Sequence, residues 1–149
     1  MDDLPVDPDA VAAARGRPLD RRVVVAVALG ALPGAAARHA LAEAITAPAG
    51  HFPWATFSTN VSGSLALGLV LAVLLQRYPP ATYARAFAGT GFLGAFTTFS
   101  TFSVEADVLV KDGHAAMALA YVVASLTAGL GAAGLGLAAG GRLTGRRPR

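Results

Sequence analysis

Thr97-Thr98-Phe99-Ser100-Thr101-Phe102 places four hydroxyls and two aromatic rings in six consecutive residues of an otherwise apolar segment. Polar side chains at membrane depth must be satisfied by protein, water or an ion, so a block this dense marks a conduction path or binding site rather than a lipid-facing wall. Phe99 and Phe102 are helical neighbours at a spacing of three, and Thr98, Thr101 and Glu105 follow a face beside them. A phenylalanine edge carries positive electrostatic character, so rings alternating with hydroxyls suit a small anion. Gly89, Gly91 and Gly94 lie just ahead. Glycine loosens a helix, and the hydroxyls of Thr97 and Thr98 can stand in for lost backbone partners. Unwinding here would expose carbonyls that bind a cation such as sodium; close packing of a glycine-rich face is the other reading.

A second polar line runs through Thr56, Asn60 and Ser64, four residues apart and therefore stacked on one helical face. The Asn60 amide has more donors and acceptors than its own helix can satisfy, which makes it either a bridge between helices or a pore donor. Gly63 and Gly68 suit close packing beside it. Tyr121 and Ser125 share a face further on, followed by Gly129, Gly131, Gly134, Gly136 and Gly140, which offer a smooth contact surface. Charges within the apolar segments are few. Glu43 and Asp107 lie near segment ends and can snorkel, whereas Arg38 is deeper and can draw anions to a vestibule. His39, His51 and His114 are too dispersed for a metal set.

These residues need a membrane scaffold to hold them. The chain has 149 residues, of which 54% are hydrophobic and only 14% charged, and its mean hydropathy is +0.54, too apolar for a soluble domain of this length. A bilayer core about 30 Å thick needs about 20 apolar helical residues. The chain offers that length four times, at 23–45, 54–75, 83–110 and 115–139, joined by short connectors with proline, glycine or polar signals. Residues 1–20 read as a disordered acidic, proline-rich tail, 21–141 as one transmembrane domain and 142–149 as a basic tail. Arg142, Arg146, Arg147 and Arg149 suit anionic headgroups better than nucleic acid, because no aromatics are interleaved with them. The absence of cysteine excludes disulfides and thiolate metal sites. Arg21-Arg22 before an apolar run imitates a signal peptide, but Arg38 and His39 interrupt that run and three more spans follow.

In this arrangement the chain resembles the Fluc (CrcB) fluoride channels, through Gly34-Ala35-Ala36-Ala37-Arg38, Asn60-Val61-Ser62-Gly63-Ser64, and Gly91-Phe92-Leu93-Gly94-Ala95-Phe96 leading into the hydroxyl block and Glu105. The resemblance implies an all-α membrane protein with four transmembrane helices, the third broken, assembled as an antiparallel dimer. It implies passive, selective fluoride efflux at the plasma membrane and a structural sodium that is not transported. The sodium would be held by the backbone carbonyls of Gly94 and Thr97 from both subunits. Phe99 and Phe102 match the rings that flank fluoride and Asn60 the amide donor, with Thr56, Thr101, Tyr121 and Ser125 as candidates for the polar track. Glu105 would be associated with the pore and Arg38 with its vestibule. Two positions depart from the family pattern: Gly129 stands where some relatives carry a further serine, and Ala95 where a second glycine is frequent.

The rival reading is a small proton-coupled multidrug exporter, which wants a deep carboxylate in its first span; Glu43 lies near that span's end, and the exporter leaves the hydroxyl block unexplained. An enzyme is disfavoured because Ser100 and Ser125 have no histidine at membrane depth to activate them. Arg15, Arg17, Arg21, Arg22, Arg77, Arg85 and the C-terminal arginines fall on one side of the four-span scheme, against Lys111 on the other. The positive-inside rule then fixes both termini in the cytoplasm. An antiparallel dimer with that bias points to an oppositely oriented paralogue as partner, with a homodimer as the alternative. A reporter fused to either terminus is expected to read cytoplasmic only, and a mixed signal would show insertion in both directions.

Overall fold

A computed structural model describes residues 20–77 and 83–145, leaving the expected acidic tail, apart from Asp20, and Arg146, Arg147 and Arg149 outside the described residues. The described residues are helical, with no strand among them: α1 (Arg21–Ala44), α2 (Trp54–Arg77), α3 (Tyr83–Arg85), a π-helical stretch (Ala86–Leu93), α4 (Gly94–Phe96), α5 (Phe99–Lys111) and α6 (Ala115–Leu143). Three helices, Arg21–Ala44, Trp54–Leu74 and Ala115–Leu143, are long and apolar enough to cross a membrane. The segment read as the third span, 83–110, is divided, in keeping with the broken third helix that the resemblance implies. Its α3, π and α4 portion ends at Thr97, whose ψ of 158° leaves the helical region, and α5 starts again after Thr98.

Local signals explain the helix ends. Asp20 caps α1 by accepting a bond from the Arg22 N–H at 2.9 Å. Gly113, at φ 84°, closes α5 while the His114 N–H returns to the Leu109 carbonyl at 2.8 Å. Pro33 sits inside α1, where it removes one N–H from the helical ladder.

Glycine governs which helices meet. A Cβ at Gly30 would strike the Phe87 carbonyl, one at Gly34 the Phe92 carbonyl and one at Gly91 the Val27 carbonyl, so α1 lies backbone to backbone with the π-helical stretch. In the same way Gly68 faces the Ala133 carbonyl, Gly136 the Leu65 carbonyl and Gly140 both Ala72 and Leu69, which presses α2 against α6. Contacts advance from Gly30 with Phe87 to Gly34 with Phe92, and from Leu65 with Gly136 to Ala72 with Gly140, so each pair runs parallel. Of the five glycines expected to form one smooth surface on α6, Gly136 and Gly140 make this approach, whereas Gly131 and Gly134 face open space. The contact face recurs every 3.6 residues, and these two fall off it.

Few large side chains are buried. Phe102, Leu109, Ala118 and Tyr121 form the core, with Phe52, Phe57 and Met117 packed against it. Leu32, Leu130 and Leu135 are about 70%, 75% and 68% exposed, as expected where lipid or another subunit, rather than water, covers the outside. Gly34→Ala is expected to destabilise the protein by about 1–3 kcal/mol, because a fixed carbonyl occupies the space of the new methyl. Gly141→Ala, with nothing near its Cβ position, should stabilise by up to about 1 kcal/mol through helix propensity. Thermal unfolding of the two purified variants reads out the opposite signs.

Candidate functional site

The break between α4 and α5 is held by a side chain from another helix. The Asn60 carbonyl oxygen accepts the Thr98 N–H at 2.8 Å, and its amide nitrogen donates to the Thr98 carbonyl at 2.9 Å. One side chain thus satisfies both backbone groups of an extended residue, Thr98, which is only 8% exposed and could not readily use solvent instead. Thr98 in turn caps α5: its hydroxyl accepts the Thr101 N–H at 3.2 Å and donates to the Thr101 hydroxyl at 3.0 Å. Thr97 closes the other side, where its N–H and its hydroxyl both return to the Leu93 carbonyl, at 3.0 and 2.9 Å.

These bonds release carbonyls. In an unbroken helix the Gly94 carbonyl would accept from the Thr98 N–H and the Thr97 carbonyl from the Thr101 N–H. Here the first donor is taken by Asn60 and the second by the Thr98 hydroxyl. The expected local unwinding thus falls just after the glycines, while Gly91 follows the other reading and packs closely against Val27. Gly89 and Gly91 lie within the π-helical stretch, and the chain opens only at Thr97 and Thr98, where an asparagine and a threonine can take over the backbone bonds.

A second cluster sits toward the end of the bundle where α2 and α6 begin. Glu105 on α5 accepts a bond from the Thr56 hydroxyl at 2.9 Å and one from the Tyr121 hydroxyl at 2.7 Å, each to a different carboxylate oxygen. Thr56 is 6% and Tyr121 0% exposed, so the carboxylate is served by two fixed neutral donors. The Tyr121 ring packs on Phe102 at 5.2 Å and meets Phe52 edge-on at 5.3 Å, and Phe102 lies 5.8 Å from Phe99. Phe99 itself is 77% exposed on the outer face of the subunit.

Asn60, Gly94, Thr97, Phe99, Phe102 and Ser125 line one recess of about 410 Å³. Of the sequence candidates, Thr56, Tyr121 and Glu105 form the adjoining hydrogen-bonded cluster instead, and Thr101 is tied to Thr98. Arg38 lies on α1, partly buried, and does not line the recess. Thr98, read from the sequence as part of the hydroxyl block, and Gly30 and Gly34 were not singled out there as individual site residues. Thr98 is the hub of the break, and the signal was present, since threonine is a favoured N-cap at a helix start. Gly30 and Gly34 seat the π-helical stretch, but nothing in their spacing says which carbonyl they meet.

Thr98→Ala is expected to lower stability by about 0.5–2 kcal/mol, the usual range for losing a helix N-cap, with Thr98→Ser retaining most of it. Denaturation of purified protein followed by circular dichroism measures the difference.

Comparison with known proteins agrees with this anatomy. Residues 25–137 match the family model described as CrcB-like protein, Camphor Resistance (CrcB). The chain is 50% identical over 131 residues to fluoride-specific ion channel FluC 3 of Streptomyces avermitilis, covering 88% of this chain and 64% of that protein. It is 38% identical over 138 residues to fluoride-specific ion channel FluC 2 of Nocardia farcinica, covering 93% of this chain and 99% of the relative. It is also 46% identical over 112 residues to fluoride-specific ion channel FluC 1 of Mycobacterium tuberculosis, covering 74% of this chain and 84% of the relative. A family match that spans the helices, the break and the recess, together with relatives named as ion channels rather than enzymes, establishes that this chain belongs to the CrcB family of membrane proteins.

Proposed function

We propose that this protein is a subunit of a fluoride-selective channel that lets the ion leave the cell passively across the plasma membrane. The observation that carries the reading is the recess beside the helix break, lined by the Asn60 amide, the Ser125 hydroxyl and the Phe99 and Phe102 rings, in a chain similar to fluoride-specific ion channels. Fluoride is small and strongly hydrated, so a selective path must replace its water with close, fixed donors that are each weak enough to release it. Neutral amide, hydroxyl and ring-edge groups meet that requirement, and a fixed cation in the same place would hold the ion too long. In this reading α3 through α5 make a fourth crossing that is broken at its middle.

A broken crossing and an outward-facing Phe99 both call for a second subunit. We infer an antiparallel dimer in which Phe99 is covered by the partner and the two breaks meet at the centre. The carbonyls of Gly94 and Thr97 would hold a structural sodium there, and the diverted donors of Thr98 and Thr101 support that fit. Bound sodium would offset the partial negative charge of carbonyls that no longer have helical partners. Arg21 and Arg22 at the start of α1, Arg85 at the end of α3 and Arg142 in the last turn of α6 share one end of the bundle. Lys111 lies at the other, and its ammonium is paired with Asp107 at 2.6 Å. That asymmetry favours one fixed orientation, with both termini cytoplasmic and an oppositely oriented paralogue as partner.

The test is anion efflux from liposomes containing the tagged chain purified from its native membranes, so that any partner comes with it. Fluoride is expected to leave rapidly while chloride is retained, and Phe99→Ala or Asn60→Ala should suppress fluoride efflux. Retention of fluoride by wild-type protein that is folded and inserted would overturn the channel reading. Robust flux from a sample containing this chain alone would preserve the channel and replace the paired-subunit assembly by a homodimer.

A further inference from the structure

Helical hydroxyls in a membrane span usually return their proton to the carbonyl one turn back, and several do so here. Thr59 donates to Ala55, Ser62 to Ser58, Ser103 to Phe99 and Thr127 to Val123, at 2.6–2.9 Å. Ser64 and Ser125 form no such bond. Both line the recess beside the break: Ser64 lies one turn beyond Asn60 on α2, and Ser125 lies on α6. The Ser125 hydroxyl oxygen is buried without a hydrogen-bond partner. A buried hydroxyl left unbonded is costly, so this oxygen calls for a water or an ion in the recess.

The space between them is open because of Gly129. A Cβ built on Gly129 would lie 3.7 Å from the Ser64 hydroxyl oxygen, an ordinary contact distance, with no other contact within 4 Å beyond its own stretch of helix. Gly129 also lines the recess, one helical turn after Ser125. The wall of α6 therefore carries no donor at this level, and the hydroxyl facing the gap comes from α2.

We propose that Ser64 is a pore donor that, with Ser125, forms an anion subsite for fluoride one turn beyond Asn60. The proposal rests on the fluoride-channel reading. Asn60 has one amide proton committed to the Thr98 carbonyl, so it offers at most its second proton to an ion. Ser64 then provides the next donor along the same face of α2, which shortens the gap a dehydrated anion must cross before it regains water. Two neutral hydroxyls make a weak site, suited to passage rather than retention.

The geometry supplies its own exchange test. Ser64→Ala removes the hydroxyl, and Gly129→Ser restores one from the opposite wall without a backbone clash. Fluoride efflux is measured on channels purified from native membranes, with size-exclusion profiles confirming assembly. Wild-type protein is expected to conduct and Ser64→Ala to slow efflux roughly fivefold, the scale of one neutral hydrogen bond. The double variant Ser64→Ala/Gly129→Ser should recover to about twofold of wild type, a rescue that a packing role for Ser64 would not produce. Ser64→Thr, which keeps the hydroxyl, should remain close to wild type and serves if the alanine variant fails to assemble. Undiminished efflux in Ser64→Ala, or slowed efflux that Gly129→Ser does not recover, overturns the subsite while leaving the channel intact. Absence of fluoride efflux from wild-type protein removes the channel reading itself.

Discussion

The two hydrogen bonds between Asn60 and the backbone of Thr98 are the constraint on which the rest of the site depends. A helix interrupted at membrane depth exposes N–H and C=O groups that neither lipid nor, in a tight bundle, water can satisfy. One amide side chain is geometrically matched to one residue's N–H and C=O, so Asn60 makes an extended residue tolerable where a helical one would otherwise be forced. The capping hydroxyl of Thr98 then restarts the helix. Without this pair, the chain from Ala86 to Lys111 would gain by joining into one helix, and the carbonyls of Gly94 and Thr97 would regain their partners.

Glycine contacts make that arrangement possible at a distance. Two parallel pairs, α1 with the π-helical stretch and α2 with α6, are each drawn together until backbone meets backbone. Apolar side chains contribute little to association within lipid, because the tails they would leave are equally apolar; close van der Waals contact and polar bridges take over. The second pair positions Asn60 and Ser125 on facing walls, while the first holds the approach to the break. Gly63 completes the fit from α2: a Cβ there would collide with the Thr97 side chain, so glycine at this position lets the break sit directly against the Asn60 helix.

The Glu105 cluster shows a different use of polarity. Its two oxygens are occupied by Thr56 and Tyr121, which joins α2, α5 and α6 through one carboxylate. The protons of those hydroxyls serve the carboxylate, whereas the second amide proton of Asn60 and the hydroxyls of Ser64 and Ser125 in the recess have no such partner among the described residues. The aromatic stack from Phe52 through Tyr121 to Phe102 and Phe99 connects this cluster to the recess and ends in a ring exposed on the outer face.

Much of this protein was legible in its residues taken in order. Low charge and long apolar runs specify membrane helices, because bilayer thickness converts directly into residue count. The density of hydroxyls from Thr97 to Thr101 and the single asparagine, Asn60, identify the chemically important positions, since polar groups are too costly in lipid to be incidental. Their partners were not legible. Asn60 and Thr98 are 38 residues apart and Thr56 and Glu105 are 49 apart, so only the packing of α2 against the broken segment decides that they bond. The same holds for Ser64, whose spacing marks its helical face but not the empty volume above Gly129 that leaves its hydroxyl free. Local sequence determines which groups must be satisfied; the tertiary fold decides which of them satisfy one another and which stay unpaired, because hydrogen bonding is settled by a few ångströms that chain separation does not encode.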